Sequence, residues 1–538
     1  MPGETVTREW GTPCANVDGI DSIEPGPPSS WWGVGFFCTL APKAPVGSDD
    51  VPTVVPAGIG IRDLGTVVAE ASATIATSAT MGTASLGTVT DGWSAITRFR
   101  TTDGWFATPV HATLLSDSRI LFTGIARQVD PPVAGTVQRR VSWIMPIPGL
   151  GPMPAEMTID EITEPVEFPA QPVGDTFLSD DLICSGQTLT ADGAVVTAGG
   201  TRASHASGDP SLSVRGLTTE TRFDGTTWTQ YPGTMQTLGP TGTAAKWYPT
   251  VTRLPDKRLL VTGGYEIVGR GPQPVPSTVG LNWGTTDVML PIRAQNGQWG
   301  YNNGSVFEAS GNMGTNFEHR GEVFDPVTLS WKPTIDLGVM RHHPSSIVLP
   351  DGRILLVNGH DKGLDARVQQ AEYVDPAQGF ALSLGSATAG VVRGYHSVAL
   401  LLPDGRVLVG GGRDQNTDTS LEKPTWQFYY PDYLGKPRPA IASAPAQINY
   451  GGLFAVSSTG PKPAEAVLIG LGSMTHSFDS DQRSVQLNVG QVSTNAAGAS
   501  LTIAGGPLDS HVAPPGYYML FLLDANRVPS VARIVHIG

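Results

Sequence analysis

The sequence predicts an all-β protein, a kelch-type β-propeller of seven blades followed by an immunoglobulin-like β-sandwich. Three observations carry this prediction. Pairs of short apolar runs recur around turns of the Pro-Asp-Gly-Arg kind, their repeat is about 50 residues long, and no stretch has a strongly helical pattern. Glycine (65) and proline (45) are abundant among the 538 residues, as expected for a chain with many tight turns.

The repeated unit is an apolar strand, a turn, a second apolar strand and then small residues. Asp-Gly between two hydrophobic runs is a strong hairpin signal, and repeats that carry four short strands indicate a propeller. A sixth, less regular copy, GYNNGSVFEAS, starts at Gly300. The five regular copies are VHATLLSDSRILFTGIA from Val110, ICSGQTLTADGAVVTAGG from Ile183, YPTVTRLPDKRLLVTGG from Tyr248, HPSSIVLPDGRILLVNG from His343 and YHSVALLLPDGRVLVGGG from Tyr395.

The pattern divides the chain into three parts. Residues 1–105 form an N-terminal β segment of unassigned role, which would complete the propeller with a seventh blade. Residues 106–435 form the propeller itself. Beyond them, alternating strands such as AEAVLIGLG and SVQLNVGQV replace the hairpin pattern, and about 100 residues of this kind are typical of an immunoglobulin-like sandwich. We therefore assign residues 436–538 to a C-terminal domain.

Composition and charge exclude some classes of function. The net charge of −14 and the lack of a Lys/Arg cluster argue against nucleic-acid binding. No run of about 18 apolar residues exists, so no membrane span is expected, and the N-terminus lacks the features of a signal peptide. Of the three cysteines, Cys14 and Cys38 either pair or remain free, and Cys184 is left without a partner.

Residues that occupy the same position in different repeats are expected to lie close together in space. The innermost strands of all blades surround a central channel, so residues just before those strands cluster at one end of it. Cys184, Tyr248 and the Tyr395–His396 pair share this phase. Adjacent side chains of a regular strand point to opposite faces, but the mouth of a strand can be irregular. Phenolate and imidazole ligands suit copper, and His476, in a polar loop of the last domain, is a candidate fourth ligand if that loop reaches the channel.

These segments resemble the galactose oxidase and glyoxal oxidase family of copper-radical oxidases, over roughly residues 110–538. RGYHSVALLLPDGRVLVGGG is similar to the segment of the family's axial tyrosine and adjacent histidine, here Tyr395 and His396. MTHSFDSDQR is similar to the loop of the second histidine, here His476. KWYPTVTRLPDKRLLVTGG, in a form closer to the glyoxal oxidases, supplies the equatorial tyrosine Tyr248, and DDLICSGQTLTADGAVVTAGG supplies Cys184, the cysteine that becomes bonded to it.

The resemblance implies a function. Copper would be held by Tyr248, Tyr395, His396 and His476, and a Cys184–Tyr248 thioether would carry a radical. The enzyme would oxidise a primary alcohol to the aldehyde and reduce dioxygen to hydrogen peroxide, with Tyr395, Tyr248 and Cys184 as the catalytic residues and Tyr395 as the base. An aldehyde oxidase with the same ligands and a non-catalytic propeller that binds glycan or protein are the alternatives. Such chemistry suits an exported protein, and the oligomeric state stays open.

One position departs from the family pattern. Galactose oxidase has a tryptophan stacked on its crosslinked tyrosine, whereas Tyr265 and Glu266 stand at the corresponding place here. Trp283 and Trp299, in the long insertion that follows, are candidates for the missing ring. Of the other histidines, His343 and His360 are candidate substrate contacts at the channel mouth, and His342 with His343 is a less favoured metal-binding pair. The remaining ones, including His111 and His205, are expected to be structural.

Overall fold

The computed structural model is built almost entirely of strands and turns. It describes residues 92–130, 138–163, 172–173, 176–205, 215–216, 219–234, 247–265, 285–295, 298–299, 304–310, 312–313, 316–317, 320–328, 330–361, 366–413 and 422–538. The helices among these residues are three short 3-10 helices, at Ala366–Gln369, Pro376–Gln378 and Asp432–Gly435. Within the same ranges, no helix has the length and apolar character needed to cross a membrane.

The first part of the described chain is a ring of antiparallel sheets. Its strands follow one another along the chain, and each is numbered in that order. The strands are β1 (Gly92–Trp93), β2 (Thr97–Thr101), β3 (Phe106–Leu114), β4 (Arg119–Arg127), β5 (Gln138–Pro146), β6 (Glu156–Ile159), β7 (Glu161–Ile162), β8 (Pro172–Val173), β9 (Thr176–Leu189), β10 (Val195–His205), β11 (Arg215–Gly216), β12 (Thr219–Phe223), β13 (Trp228–Thr234), β14 (Trp247–Arg253), β15 (Leu259–Tyr265), β16 (Thr286–Met289), β17 (Ile292–Gln295), β18 (Gln298–Trp299), β19 (Val306–Ala309), β20 (Asn312–Met313), β21 (Asn316–Phe317), β22 (Arg320–Asp325), β23 (Ser330–Asp336), β24 (His342–Val348), β25 (Ile354–His360), β26 (Gln370–Asp375), β27 (Ala381–Thr388), β28 (Ser397–Leu401), β29 (Val407–Gly411) and β30 (Thr425–Tyr430).

The described residues show six blades. Each has its innermost strand first, and blades 1 to 6 begin with β3, β9, β14, β16, β24 and β28. The kelch-type propeller and the all-β class are thereby confirmed. The seventh blade expected from the N-terminal segment would fall largely on residues 1–91, which lie outside the described residues.

Blade 4 differs from the sequence prediction in one respect. The pattern from Gly300 predicts its inner hairpin, whereas the innermost strand is β16, and Val306–Ala309 is the second strand. The connection between them has no Asp-Gly turn. Instead it makes an excursion through β17 and β18, and β17 pairs in parallel with a strand of the C-terminal sandwich at Ile292 and Val485.

The Asp-Gly-Arg turns show why the inner hairpins form. In blade 6, Asp404 accepts hydrogen bonds from the backbone N–H of Arg406 (3.0 Å) and from its Nε (2.8 Å). Gly405 between them has φ +88°, a conformation that glycine adopts without steric cost. Asp351 and Arg353 repeat this arrangement in blade 5, so the side chains and the glycine together determine the turn.

The last part of the chain is a sandwich of two sheets. One sheet has the order β31-β33-β39-β38, and the other has β37-β34-β40-β41-β32, to which β17 and β18 are added. Leu468, Leu520 and Leu522 lie in the core between the sheets. The strands are β31 (Ala440–Ser443), β32 (Gln447–Ile448), β33 (Leu453–Thr459), β34 (Pro463–Gly470), β35 (Ser473–Thr475), β36 (Phe478–Asp479), β37 (Ser484–Leu487), β38 (Val489–Thr494), β39 (Ser500–Gly505), β40 (Gly516–Asp524) and β41 (Arg533–Ile537).

Residues 471–483 leave the sandwich and enter the ring of inner strands, and we call them the central loop. Its strand β35 pairs with β3 of blade 1. Blades 2 and 3 contact it through Thr188, whose Oγ1 donates to Asp481 (2.7 Å), and through the carbonyl of Val251, which accepts from Ser480 (2.7 Å). In blade 4, Thr286 donates to the carbonyl of Ser477 (2.9 Å). These contacts hold the tip of the loop in the channel.

Candidate metal centre

Five predicted site residues from three blades and the central loop lie together. The ring of His476 is nearest the middle, with its centroid 4.7 Å from that of Tyr248, 5.0 Å from His396 and 5.6 Å from Tyr395. The rings of Tyr395 and His396 are 4.0 Å apart. The sulfur of Cys184 lies within 4.8 Å of a ring nitrogen of both histidines. Residues separated by up to 292 positions in sequence thus share one small volume.

Irregular backbone at the strand mouths makes this convergence possible. Four of the five residues have positive φ: Cys184 at +67°, Tyr248 at +61°, His396 at +67° and His476 at +48°. Non-glycine residues seldom adopt this region, and such strain concentrates at functional sites. At His396 it lets two consecutive side chains face the same way, with their rings only 27° from parallel.

Tyr248 lies at an irregular point of blade 3. The pairing of β14 with β15 passes from Trp247–Tyr265 to Pro249–Gly263, so Tyr248 has no paired residue. The Tyr248 ring packs against a small apolar cluster that includes Cys184 and Val110. Tyr248 therefore packs beside the residue that the family resemblance assigns as its covalent partner.

His396 is oriented by a buried carboxylate, Glu422. Its Nδ1 lies 2.9 Å from Oε1 of Glu422, while its Nε2 is buried without a hydrogen-bond partner among the described residues. Arg413 (3.2 Å) and Arg127 (3.5 Å) pair with the same carboxylate. Burial alone would raise the pKa of Glu422, but His396 and the two arginines lower it to about 2. The carboxylate is thus ionised, holds the imidazole proton on Nδ1 and leaves the Nε2 lone pair for a metal.

His476 offers a second unused nitrogen. Its Nδ1 shares a hydrogen bond with Oγ1 of Thr475 (2.6 Å), and its Nε2 is buried with no partner in the part of the chain that the structure describes. Burial, with the neighbouring His396 and His111, lowers the pKa of His476 well below its ordinary value. A neutral imidazole with a buried lone pair is the form that binds metal ions.

The phenol of Tyr395 lies in a mainly apolar environment with charged groups nearby. Burial and then the adjacent Cys184 raise its pKa well above the ordinary value, although Arg413 acts in the opposite direction. The Arg413 guanidinium lies over the Tyr395 ring, 4.7 Å from its centroid. The phenol is therefore protonated unless a stronger positive charge lies beside its oxygen.

The donor set fits copper. Two imidazole nitrogens and two phenol oxygens are the ligand types that Cu(II) accepts in tetragonal sites. The unpartnered Nε2 atoms of His396 and His476 are costly in a buried site, and a bound cation would satisfy both. Tyr248 and Tyr395, which contact these rings, would supply the oxygens.

Four other histidines lie next to the site. The ring of His343 lies 5.1 Å from that of Tyr395, with His342 and His360 beside it. His111, expected to be structural, packs edge-on against His476 at 5.3 Å. It is buried, and burial followed by the effect of His396 lowers its pKa to about 3. Its position before the turn of blade 1 was the signal that could have indicated it.

Some predicted positions remain without a side-chain description. Tyr265 and Trp299 lie at the ends of β15 and β18, where only their backbone pairing is described. Glu266 and Trp283 lie outside the described residues, as do Cys14 and Cys38 with their predicted alternatives. Glu422, which sequence reasoning missed, carries no motif; it lies after the inner hairpin of blade 6 and becomes recognisable only by its contact with His396.

Parts of the chain are similar to known proteins. Residues 438–537 match a family model described as the galactose oxidase-like, early set domain. A galactose oxidase of Gibberella zeae is 34% identical over 208 residues, which are 37% of this chain and 29% of the relative. The aldehyde oxidase GLOX of Vitis pseudoreticulata is 33% identical over 210 residues, 36% of this chain and 40% of the relative. The matches thus span less than half of these curated relatives.

A solved structure resembles the fold as a whole. It is a fungal alcohol oxidase in complex with copper, with a TM-score of 0.61 and 19% identity, and the match covers 84% of this chain and all of the other. The chain is a β-propeller protein that carries a galactose oxidase-like early set domain at its C-terminus. Over the matched segments it is similar to a galactose oxidase and to an aldehyde oxidase of the GLOX type.

Proposed function

We propose that this protein is a copper-radical oxidase that converts a primary alcohol to an aldehyde and dioxygen to hydrogen peroxide. One observation carries the proposal: two phenols, two imidazoles with buried and unpartnered Nε2 atoms, and a thiol converge from three blades and the central loop. Tyr248, Tyr395, His396 and His476 would hold the copper. When bound, copper would supply a Lewis acid and a one-electron acceptor.

The protein's own residues would perform the remaining steps. Alcohol oxidation removes two electrons and two protons, so a second one-electron acceptor is required. A thioether between Cys184 and Tyr248 would make the Tyr248 ring easier to oxidise, and its radical would take a hydrogen atom from the alcohol carbon. The oxygen of Tyr395 would accept the hydroxyl proton as general base. Dioxygen would take up both electrons and both protons and leave as hydrogen peroxide.

The thioether gives the first test. Its formation replaces the S–H bond of Cys184 and a ring C–H bond of Tyr248 by one C–S bond, and dioxygen accepts the two hydrogens. We expect the denatured protein, after loading with copper in air, to be two hydrogens lighter than the metal-free protein, with no reversal by reductant. Cys184→Ser abolishes the loss. A loss that reductant reverses belongs to a Cys14–Cys38 disulfide, so the crosslink is contradicted if no irreversible loss occurs or if the irreversible loss survives Cys184→Ser.

An aldehyde oxidase with the same ligands is the second candidate. The 33% identity to the GLOX relative and the Lys-Trp-Tyr-Pro sequence that contains Tyr248 favour it. Copper-loaded protein assayed by peroxidase-coupled dye, with primary alcohols and small aldehydes compared at equal concentration, separates the two. Peroxide from neither class would leave a binding propeller as the better reading. Small substrates and dioxygen are the partners proposed here, with an extracytoplasmic location.

A further inference from the structure

A second group of potential ligands lies in blade 5. His342 and His343 begin β24 and His360 ends β25, and His342 is paired with His360 in the sheet. The three side chains are only 3%, 4% and 2% exposed. One ring nitrogen of each lies within 4.8 Å of the other two. Three imidazoles thus share one buried pocket, where their ring nitrogens can face one another.

The nitrogen positions match those of metal ligands. Nδ1 of His342 and Nε2 of His360 are 3.2 Å apart. Two nitrogens bound to one tetrahedral ion at about 2.0–2.1 Å lie about 3.3–3.4 Å from each other. The two nitrogens share a hydrogen bond in this structure, and a bound ion would replace that bond at nearly the same nitrogen–nitrogen separation. Nδ1 of His343 is buried and lacks a hydrogen-bond partner within the described residues.

The backbone is shaped to gather these rings. In a regular strand His342 and His343 would point to opposite faces, but the pairing skips His343, which has φ +58°. The two rings consequently lie on one side, with centroids 4.0 Å apart. Gly394 completes the pocket, because a Cβ there would lie 2.4 Å from Cδ2 of His360. The strained backbone at His343 and the glycine at position 394 thus both shape the pocket of this histidine cluster.

The charges around the cluster permit a cation. Arg341, which precedes the pair, is neutralised by Glu372 (2.8 Å) and donates to backbone carbonyls. Arg413, on the far side of Tyr395, is paired with Glu422. Asp361, which follows His360, is 2% exposed and adds a carboxylate next to the cluster in sequence.

We propose that His342, His343 and His360 form a second metal site, which binds a divalent ion of the Zn²⁺ or Cu²⁺ type. Three imidazole nitrogens with one open position suit these ions and disfavour Ca²⁺ or Mg²⁺, which prefer oxygen ligands. None of the three residues is a ligand of the proposed copper centre, so this site does not depend on the oxidase proposal. The two groups are neighbours, since the ring of His343 lies 5.1 Å from that of Tyr395.

The test counts bound Zn²⁺ in the full chain. Metal-depleted protein is dialysed against Zn²⁺ and the bound ion is measured. The double variant His396→Ala with His476→Ala removes the first site and is expected to retain one equivalent, and adding His360→Ala abolishes that equivalent. Replacing Zn²⁺ by Co²⁺ gives visible d–d absorption in the double variant and none once His360→Ala is added. His511→Ala, at an exposed histidine, is the matched control and changes nothing.

Circular dichroism verifies that each variant is folded, and His360→Gln replaces the alanine variant if that one fails. Binding of no Zn²⁺ by the folded double variant, or binding that persists after His360 is changed, overturns the second site. Failure of the oxidase proposal looks different: the unmodified chain would bind Zn²⁺ at the blade 5 histidines alone, and His396→Ala would leave the count unchanged.

Discussion

Single residues in an unfavourable backbone conformation build the proposed centre. Positive φ at Cys184, Tyr248, His396 and His476 costs of order 1–3 kcal/mol at each position, so the surrounding sheets must hold these residues in place. Nothing in the folded apolar core requires four such residues at one end of a channel. A metal-binding site accounts for them, because a bound metal ion would offset the free-energy cost of the strained backbone and would give the unpartnered nitrogens a partner.

The base assignment of Tyr395 can be tested directly. In Tyr395→Phe we expect the copper content to remain near that of the unmodified protein, because three ligands persist. Turnover falls by about 10²–10⁴-fold, the usual contribution of a general base. Peroxide release is measured by coupled assay, with bound copper counted in the same sample. Tyr517→Phe, in the sandwich, serves as control, and full turnover in Tyr395→Phe would remove the role.

The carboxylate behind His396 is expected to tune metal affinity. Glu422→Gln keeps the size of the side chain but removes the charge that holds the proton on Nδ1. We expect copper affinity to fall by about 10–100-fold, as measured by competition with a chelator. The unfolding midpoint also falls, because Arg127 and Arg413 lose their anionic partner. Glu465→Gln, whose side chain bonds Gln486 away from the centre, is the control. An unchanged affinity would contradict the role of Glu422.

Among the structural elements, the central loop determines whether the proposed metal centre can form, because it carries His476. It belongs to the sandwich in sequence but contacts the inner strands of the blades. Asp479 fixes its shape by accepting hydrogen bonds from the backbone N–H groups of Ser473 and Asp481, both at 3.0 Å. Burial, and then the nearby Asp481, raises the pKa of Asp479 to about 7. The folded chain therefore binds a proton at Asp479 more tightly than the unfolded chain.

This raised pKa predicts how stability depends on pH. The contribution of Asp479 is fully present below about pH 4, the ordinary carboxyl pKa, and is lost as the pH rises through about 7. In Asp479→Asn this component disappears, so its free energy of unfolding relative to the unmodified chain rises with pH by up to about 1.4 kcal/mol per unit. Denaturant unfolding of metal-free protein at pH 5 and pH 8 measures it. Exposed Asp160→Asn is the control, and a pH-independent difference contradicts the assignment.

At the scale of the whole molecule, strand β2 joins the first and the last of the six described blades. β2 pairs with β30 of the last blade and also with β3 of the first. Phe99, in β2, is fully buried at this junction. Its ring contacts Phe122 (5.3 Å) and Trp143 (5.1 Å) in blade 1 and Trp426 (5.4 Å) in blade 6. One side chain thus joins the first and last blades.

The packing around Phe99 predicts that a single substitution at this position lowers the free energy of unfolding strongly. Phe99→Ala leaves a cavity between the two blades and is expected to cost about 3–5 kcal/mol. Denaturant unfolding followed by tryptophan fluorescence reports it, since Trp143 and Trp426 line the cavity. Phe106→Ala, at a half-buried position on the next strand, should cost markedly less. Equal losses in the two variants would show that Phe99 has no special role in closing the ring.

The sequence by itself determined the fold class, the start of the sandwich pattern near residue 435 and the phase of the ligand-type residues. It could do so because hairpin turns and strand alternation are local properties: Asp404, Gly405 and Arg406 specify their turn without help from the rest of the chain. Family resemblance then added His476, which no local pattern distinguishes.

Only the tertiary structure decided which groups touch. Glu422 contacts His396, which lies 26 positions away in sequence, and His111 contacts His476 although most of the propeller sequence lies between them. The three histidines of blade 5 form one cluster. These contacts arise from bulges, positive φ angles and the path of the central loop, which are set by packing between distant elements. The sequence defines the chemistry of each side chain, whereas the distances between side chains that form a site depend on how the blades and the central loop pack together.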